Sequence, residues 1–190
     1  MDIINLLGSS MGLSLAAGVN LYATVLAMGL AIRHELITLP TGMEDLAVLG
    51  HPYILVIAGV AYVVEFFADK IPWVDSLWDS IHTLIRPVGA AFIGTQAVGN
   101  VDPVTEFAFL LLCGGTALSA HSTKASVRLA VNHSPEPVSN ASLSLAEDAA
   151  VVGGTWLAVT HPVPVLVGVL LFLLVFAYYA PRVFRLIRME

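Results

Sequence analysis

The sequence has few charged residues and a single cysteine. Asp, Glu, Lys and Arg make up only 12% of it and hydrophobic residues 57%, whereas soluble domains have about 25% charged residues. The mean hydropathy of +0.86 over 190 residues excludes an ordinary soluble domain and indicates one integral-membrane helical domain over residues 1–190. Cys113 has no partner for an intrachain disulfide, so we expect it to be a small packed side chain.

Motifs of enzymes and cofactor sites are also missing. The chain has no nucleophile motif, phosphate-binding loop, dinucleotide fingerprint or Cys/His metal motif. An enzyme is therefore the least favoured class, with a membrane hydrolase using His82 and paired carboxylates as the form that stays open. We predict no nucleic-acid partner, and the sequence leaves any cofactor unknown. The N-terminus begins Met-Asp without a basic region, so we do not expect a cleaved signal peptide.

Apolar segments predict an all-α polytopic membrane bundle of about six transmembrane segments in three hairpins. The third segment, residues 87–98, is too short to cross the hydrocarbon, because a spanning helix needs about 20 residues. It either begins near Ile81 and carries His82 and Arg86 into the membrane, or only re-enters. The predicted segments are residues 4–32, 52–67, 87–98, 103–120, 143–160 and 162–180.

Small residues lie within the first of these segments, and prolines lie at the starts of others. The first contains Gly8, Gly12 and Gly18, which would allow close packing between membrane helices. Each hairpin turns just before Pro52, Pro103 or Pro162, which indicates a weak internal repeat. Residues 132–140 are rich in turn-forming residues and predict a loop.

An amphipathic helix is predicted near residues 72–86. Asp75, Asp79, His82 and Arg86 are spaced 4, 3 and 4 residues apart, which places them on one helix face. Such a helix can lie at the membrane surface, although its acidic face would be repelled by anionic lipid. The alternatives are a polar vestibule and a weak divalent-metal site at Asp75, Asp79 and His82.

A basic stripe on the fourth segment is the counterpart of this acidic face. His121, Lys124 and Arg128 share one helix face and either anchor the protein at lipid headgroups or balance the carboxylates. The Ser144–Glu147 spacing matches a capping box that would start the fifth helix.

Two polar residues are expected inside the bundle. A charged residue at membrane depth needs a partner, so we expect Arg86 to pair with Glu147, Asp148 or Glu65. Asn20 lies in the middle of the first segment and is expected to form a hydrogen bond between helices.

The basic residues also predict the orientation. With a cytoplasmic N-terminus, seven of the eight Lys and Arg residues lie on the inner side and only Arg33 lies outside. This bias predicts an inner-membrane protein with both termini in the cytoplasm, surrounded by the lipid bilayer.

Three stretches of the sequence resemble a known family. They are AAGVNLY (16–22), VEFFADKIPWVDSLWDSIHTLIRPVGAA (64–91) and HSTKASVRLAVNHSPEPVSNASLSLAED (121–148). They are similar to a bacterial integral-membrane family catalogued as domain of unknown function 4126. The resemblance implies a small multi-pass membrane protein and leaves its activity open.

The functional hypothesis follows from the placement of the charges. We predict a small transporter or channel-like protein for an ion or small solute, with a homo-oligomer as a possible form and a polar cavity at the cytoplasmic side. The alternatives are a non-transporting assembly or lipid-binding protein and a metal-binding membrane protein. The candidate cavity residues are Asn20, Glu65, Asp69, Asp75, Asp79, His82, Arg86, His121, Lys124, Arg128, Glu147 and Asp148.

Overall fold

The computed structural model describes residues 2–132 and 137–187 and is all-helical over these ranges. Six of the seven α-helices begin just after Asn20 or at a proline. The α-helices are α1 (Ile3–Val19), α2 (Leu21–Arg33), α3 (Pro52–Ala68), α4 (Pro72–Gln96), α5 (Pro103–Asn132), α6 (Pro137–Thr160) and α7 (Pro162–Ile187), and a 3₁₀ helix, Glu44–Gly50, precedes α3.

Helix α1 is the centre of the bundle and packs against α4, α5, α6 and α7. Its glycines permit this. A Cβ on Gly18 would lie 2.4 Å from the carbonyl oxygen of Ala117 in α5, and one on Gly8 would lie 2.1 Å from that of Pro162 in α7. The predicted close packing through small residues is therefore present.

The prolines begin helices as expected from the sequence. Pro52, Pro103 and Pro162 are the first residues of α3, α5 and α7, where the missing N–H has no helical partner to lose. The internal repeat remains a prediction beyond this shared start.

Three predicted boundaries are wrong. The first segment is two helices, because Asn20 has an extended backbone (φ −148°, ψ 102°) and its side chain caps α2 by accepting a hydrogen bond from the Ala23 N–H. The amphipathic helix and the third segment are one helix, α4, which runs through Pro87.

The third correction concerns α6. This helix already begins at Pro137, so the second half of the predicted 132–140 loop is helical, while residues 133–136 lie outside the described ranges. Ser144 is consequently inside the helix and is not its N-cap. The capping-box interpretation of Ser144 and Glu147 is wrong.

In the part of the chain that the structure describes, two helices are long and apolar enough to cross a membrane, Pro103–Val131 and Pro162–Arg182. The bent pair formed by the 3₁₀ helix and α3 would be a third within the described residues. Only 6% of the most apolar part of Pro162–Arg182 is buried within the protein, so most of this segment is not enclosed by the other helices. These helices support a membrane location, whereas the number of six segments is not established by them.

Candidate functional site

A network of ion pairs occupies the interior between α3, α4, α5 and α6. We call it the ion-pair cluster. Its side chains are between 0% and 13% exposed, in a bundle whose remaining core is mainly apolar. Its members are Glu65 of α3, Asp69 at the end of α3, Asp79 and Arg86 of α4, Lys124 and Arg128 of α5, and Glu147 of α6.

Arg86 forms one end of the cluster. Its guanidinium is fully buried and reaches Glu65 Oε1 at 2.8 Å through Nη2 and Asp79 Oδ1 at 3.1 Å through Nη1. Of the three expected partners only Glu65 was right. Asp79 is the second partner, two turns earlier on the same helix, because the long arginine side chain folds back along α4.

His121 supports Arg86 and has a defined tautomer. Its Nδ1 lies 2.6 Å from Arg86 Nη1 and its Nε2 lies 3.0 Å from the backbone oxygen of Asp79. An arginine N–H can only donate and a carbonyl can only accept. His121 therefore carries its hydrogen on Nε2 and is neutral, so it adds no charge to the cluster.

Lys124 and Arg128 form the other end. Lys124 Nζ lies 3.5 Å from Glu65, 3.4 Å from Asp69 and 3.6 Å from Glu147. Arg128 Nη2 bridges Asp69 at 3.1 Å and Glu147 at 2.5 Å. Two of the three residues of the basic stripe, Lys124 and Arg128, thus balance carboxylates, and both converge on Glu147 as predicted.

The four carboxylates of the cluster differ in the number of basic side chains that they contact. Glu65, Asp69 and Glu147 each contact two basic side chains, whereas Asp79 contacts only Arg86 among the described residues. One oxygen of Glu65, one of Asp69 and one of Asp79 are buried without a hydrogen-bond partner in the same part of the chain. Among the described residues, the printed ion pairs join four carboxylates to three bases, and the fully buried Asp75 is a further carboxylate that interacts electrostatically with Arg128.

A second polar group lies at the break between α1 and α2. Asp148 Oδ1 accepts a hydrogen bond from Asn20 Nδ2 at 3.1 Å, and Asp148 Oδ2 accepts one from the Tyr62 hydroxyl at 2.9 Å. Asn20 thus bonds between helices as expected. Asp148 is not among the ion pairs of the described residues, so the expected pairing of Arg86 with Asp148 is wrong.

Lys70 lies at the edge of the site, in the turn after α3. Its Nζ donates to the Phe66 carbonyl at 2.8 Å and lies 3.1 Å from the centre of the Phe66 ring. Burial lowers the pKa of this ammonium group, and the nearby carboxylates of Asp69 and Asp148 oppose that effect.

A small cavity with a mostly apolar surface opens beside the cluster between α4 and α5. Its volume is about 140 Å³, and Asp79 and Arg128 belong to its wall. The Ser80 and Thr83 hydroxyls, which belong to lining residues, donate to the backbone carbonyls of Ser76 and Asp79. The other lining residues are Ser76, Ser80, Thr83, Ala125 and Leu129.

Comparison with known protein families identifies the chain. A family model described as Domain of unknown function (DUF4126) matches residues 7–182, which include every member of the ion-pair cluster. The protein belongs to this family. No curated protein and no solved structure matched the chain.

In this DUF4126 protein the predicted metal site is not formed. His82 Nδ1 lies 2.8 Å from the Trp78 carbonyl and Nε2 lies 3.0 Å from the Tyr22 hydroxyl, so both ring nitrogens are engaged away from Asp79. Within residues 2–132 and 137–187, no three His, Cys, Asp or Glu side chains are arranged to hold a metal ion. Asp75 is buried and interacts electrostatically with Arg128.

Sequence reasoning missed two tyrosines of the DUF4126 site. Tyr62 bonds Asp148, and Tyr22 bonds His82. The spacing of Tyr62, Glu65 and Asp69 by 3 and 4 residues places them on one face of α3 and would have identified Tyr62. Tyr22 carries no such signal, because its position depends on the helix break at Asn20.

Proposed function

We propose that this protein is a small multi-pass inner-membrane transporter or channel-like protein for an ion or small solute. The ion-pair cluster would line a polar cavity on the cytoplasmic side, and both termini would lie in the cytoplasm. The observation that carries the proposal is the burial of four ion-paired carboxylates and three bases in a bundle whose remaining core is mainly apolar.

Stability alone does not account for this arrangement. Burying charges requires the loss of their hydration, and replacing a buried ion pair by apolar side chains is often neutral or stabilising. Ionisable residues at membrane depth are costly, and in membrane proteins they typically mark ion or substrate pathways. A functional use of the cluster explains its presence better than a structural one.

The helix break at Asn20 adds support. Transporters commonly form their binding sites where a membrane helix is interrupted. Here the interruption lies beside the cluster, since Asn20 bonds Asp148, the neighbour of Glu147, and Tyr22 lies in the first turn of the following helix.

The test is a flux measurement in liposomes that contain the purified protein. Proton, sodium, potassium and chloride gradients would be imposed separately, and uptake would be followed with ion-selective dyes. We expect one of these gradients to drive movement in the wild type, with a loss of at least tenfold in Glu65→Gln. The exposed-site variant Asp45→Asn is the matched control and should match the wild type. Absence of movement under every gradient would contradict transport of these ions.

A lipid-binding role is the second candidate, and a groove on the outer surface favours it. The groove has a volume of about 400 Å³ between α2 and α6, and its lining includes Ala27, Ala31, Val152 and Trp156. Its apolar walls suit an acyl chain. Native mass spectrometry should then detect a retained lipid in the wild type, and Ala31→Trp should reduce its occupancy if the groove is the binding site.

A further inference from the structure

We propose that α4 crosses the membrane along its length and that its outward apolar face is a contact surface for lipid acyl chains. Average hydropathy does not select α4 as a span, because its charged and hydroxyl residues lower the average. The positions of these residues in the structure remove that objection. The inference depends on the membrane location of α5 and not on transport, so a negative flux measurement would leave it intact.

The outward face of α4 is apolar from one end to the other. Six large apolar side chains follow one another at spacings of 4, 4, 3, 4 and 4 residues, which keeps them on one helix face. Each is between 52% and 76% exposed within the protein. At a rise of about 1.5 Å per residue the stripe is about 29 Å long, close to the roughly 30 Å thickness of the hydrocarbon. Its members are Trp73, Leu77, Ile81, Leu84, Val88 and Phe92.

All three charged residues of α4 are buried on the other side of the helix. Asp75, Asp79 and Arg86 are at most 5% exposed. A helix that lies flat on a membrane presents its charged face to water, and α4 does not. The exposed hydroxyls of Ser80 and Thr83 donate to backbone carbonyls four residues earlier in the same helix, so they do not need water as a partner.

The position of α4 beside α5 is the second argument. Helix α5 contains Pro103–Val131, which is long and apolar enough to cross a membrane. The two helices run in opposite directions and meet near both ends of α4. The backbone oxygen of Asp79 lies 3.0 Å from His121 Nε2, and a Cβ on Gly94 would collide with the sulfur of Cys113. Because α4 lies along the middle of this span, it shares the membrane environment of α5.

Acyl chains fit this surface better than a second copy of the chain does. Large exposed apolar side chains are not confined to α4, since they also occur on α3, α5 and α7, for example Val60, Leu111 and Leu174. A second copy would cover one patch, whereas lipid surrounds the protein. The outward face of α4 is one part of this wider apolar surface.

This placement also gives the depth of the ion-pair cluster. Ala117 is the middle residue of Pro103–Val131, and His121, which contacts Arg86, is one turn away from it. Arg128 lies three residues before the end of the span. The cluster therefore extends from near the middle of the membrane to the surface at which α5 ends, and its Arg86 end lies where an unpaired charge is most costly.

Spin labels on the purified full-length protein in liposomes test the lipid contact. Single cysteines would be introduced as Leu77→Cys, Leu84→Cys and Phe92→Cys, with the buried Cys113 replaced by Ala. We expect each label to be more accessible to oxygen than to a water-soluble nickel complex. The label at Leu84 should be the deepest, and the other two should be shallower by about 10 Å, the rise of seven to eight residues. The exposed loop control Asp45→Cys should show the opposite preference.

Three outcomes would overturn the proposal. Equal and shallow depths at the three positions would place α4 flat on the membrane surface. A depth that increases as far as Phe92 would make α4 a re-entrant helix. Low accessibility to both reagents, with spin–spin broadening that disappears on dilution with unlabelled protein, would identify a second copy as the partner instead of lipid.

Thiol labelling in intact cells tests the crossing itself. Ile71→Cys and Asn100→Cys lie at exposed positions just before and after α4, so both variants are expected to fold. A membrane-impermeant maleimide should label one of them before permeabilisation and both afterwards, because the ends of a crossing helix lie on opposite sides. Labelling of both, or of neither, before permeabilisation would place the two ends on one side and refute the crossing.

Discussion

At the scale of single residues, the cluster depends on the pairing of each buried charge. Arg86 and Glu65 are both fully buried, and their ion pair, at 2.8 Å, is shorter than that of Arg86 with Asp79. The sequence indicated that Arg86 needs a carboxylate, because a lone guanidinium in an apolar segment is unfavourable. It could not select the partner, since that choice depends on how α3 and α4 pack.

The first prediction is that Arg86→Ala destabilises the protein by about 3–5 kcal/mol, the usual cost of removing one partner of a buried pair. Glu65→Gln should restore part of the loss, with a coupling free energy of about 0.5–3 kcal/mol. The measurement is a double-mutant cycle by thermal unfolding in detergent.

Asp148→Asn provides the control for this cycle. Asp148 lies outside the cluster and bonds Asn20 and Tyr62, so its effect should add to that of Arg86→Ala without coupling. A neutral Arg86→Ala, or equal coupling to Glu65 and Asp148, would mean that the charges do not act as a cluster.

At the scale of the helices, close approach to α1 holds the bundle together. The backbone of α5 lies where a side chain on Gly18 would have to be, since a Cβ there would be 2.4 Å from the Ala117 oxygen and 2.7 Å from the Ala117 Cα. A Cβ on Gly153 of α6 would meet no described part of another helix within 4 Å, which makes this position the natural counterpart.

Gly18→Ala should therefore lower stability by about 1–3 kcal/mol, because a backbone contact cannot yield as a flexible side chain can. Gly153→Ala should instead raise stability by about 0.5–1 kcal/mol, because alanine favours the helix. Thermal unfolding of both variants checks the prediction. Equal effects at the two positions would indicate that α1 and α5 are not in close contact.

The start of α5 gives a prediction about pH. Asp102 accepts hydrogen bonds from the Val104 and Thr105 N–H groups and from the Thr105 hydroxyl. The hydroxyl bond comes first among the causes that lower the pKa of Asp102 below its usual 3.8. The group therefore stabilises the folded state above its ordinary pKa, and this contribution is lost as the pH falls through the lowered value.

Asp102→Ala should consequently reduce the melting temperature at pH 7, and the difference from wild type should shrink below about pH 4. Asp45→Ala, at an exposed position, should show no comparable trend. A difference that stays constant with pH would show that the Asp102 charge does not contribute.

The helices also show what sequence patterns predict well. The starts at Pro52, Pro103 and Pro162 were right because proline restricts the local backbone whatever its surroundings. The break at Asn20 was not predicted, because it depends on contacts with distant residues such as Asp148. The early start of α6 was missed although a proline, Pro137, also marks it. The acidic and basic stripes followed from helical spacing, whereas the exclusion of His82 from the cluster depends on Trp78 and Tyr22.

At the scale of the whole molecule, the cluster changes the argument for orientation. Arg86, Lys124 and Arg128 are buried in ion pairs, so they are not free to interact with lipid headgroups. Outside the cluster, four basic residues still lie on the predicted inner side, against Arg33 on the other. They are Lys70, Arg182, Arg185 and Arg188. The excess of basic residues on the predicted inner side is therefore smaller than the count over all Lys and Arg residues suggests, and it still favours the same orientation.

The last prediction is that both termini face the cytoplasm. A reporter that is active only in the cytoplasm should be active when fused after Glu190, and a reporter that is active only in the periplasm should be active in the loop at Thr41, between α2 and the 3₁₀ helix. Removing the positive charges of Arg182, Arg185 and Arg188 together should increase the fraction of inverted molecules, because these residues supply three of the four remaining inner charges. The matched change Arg33→Gln should have the opposite effect. Periplasmic activity of the fusion after Glu190 in the unmodified protein would contradict this orientation.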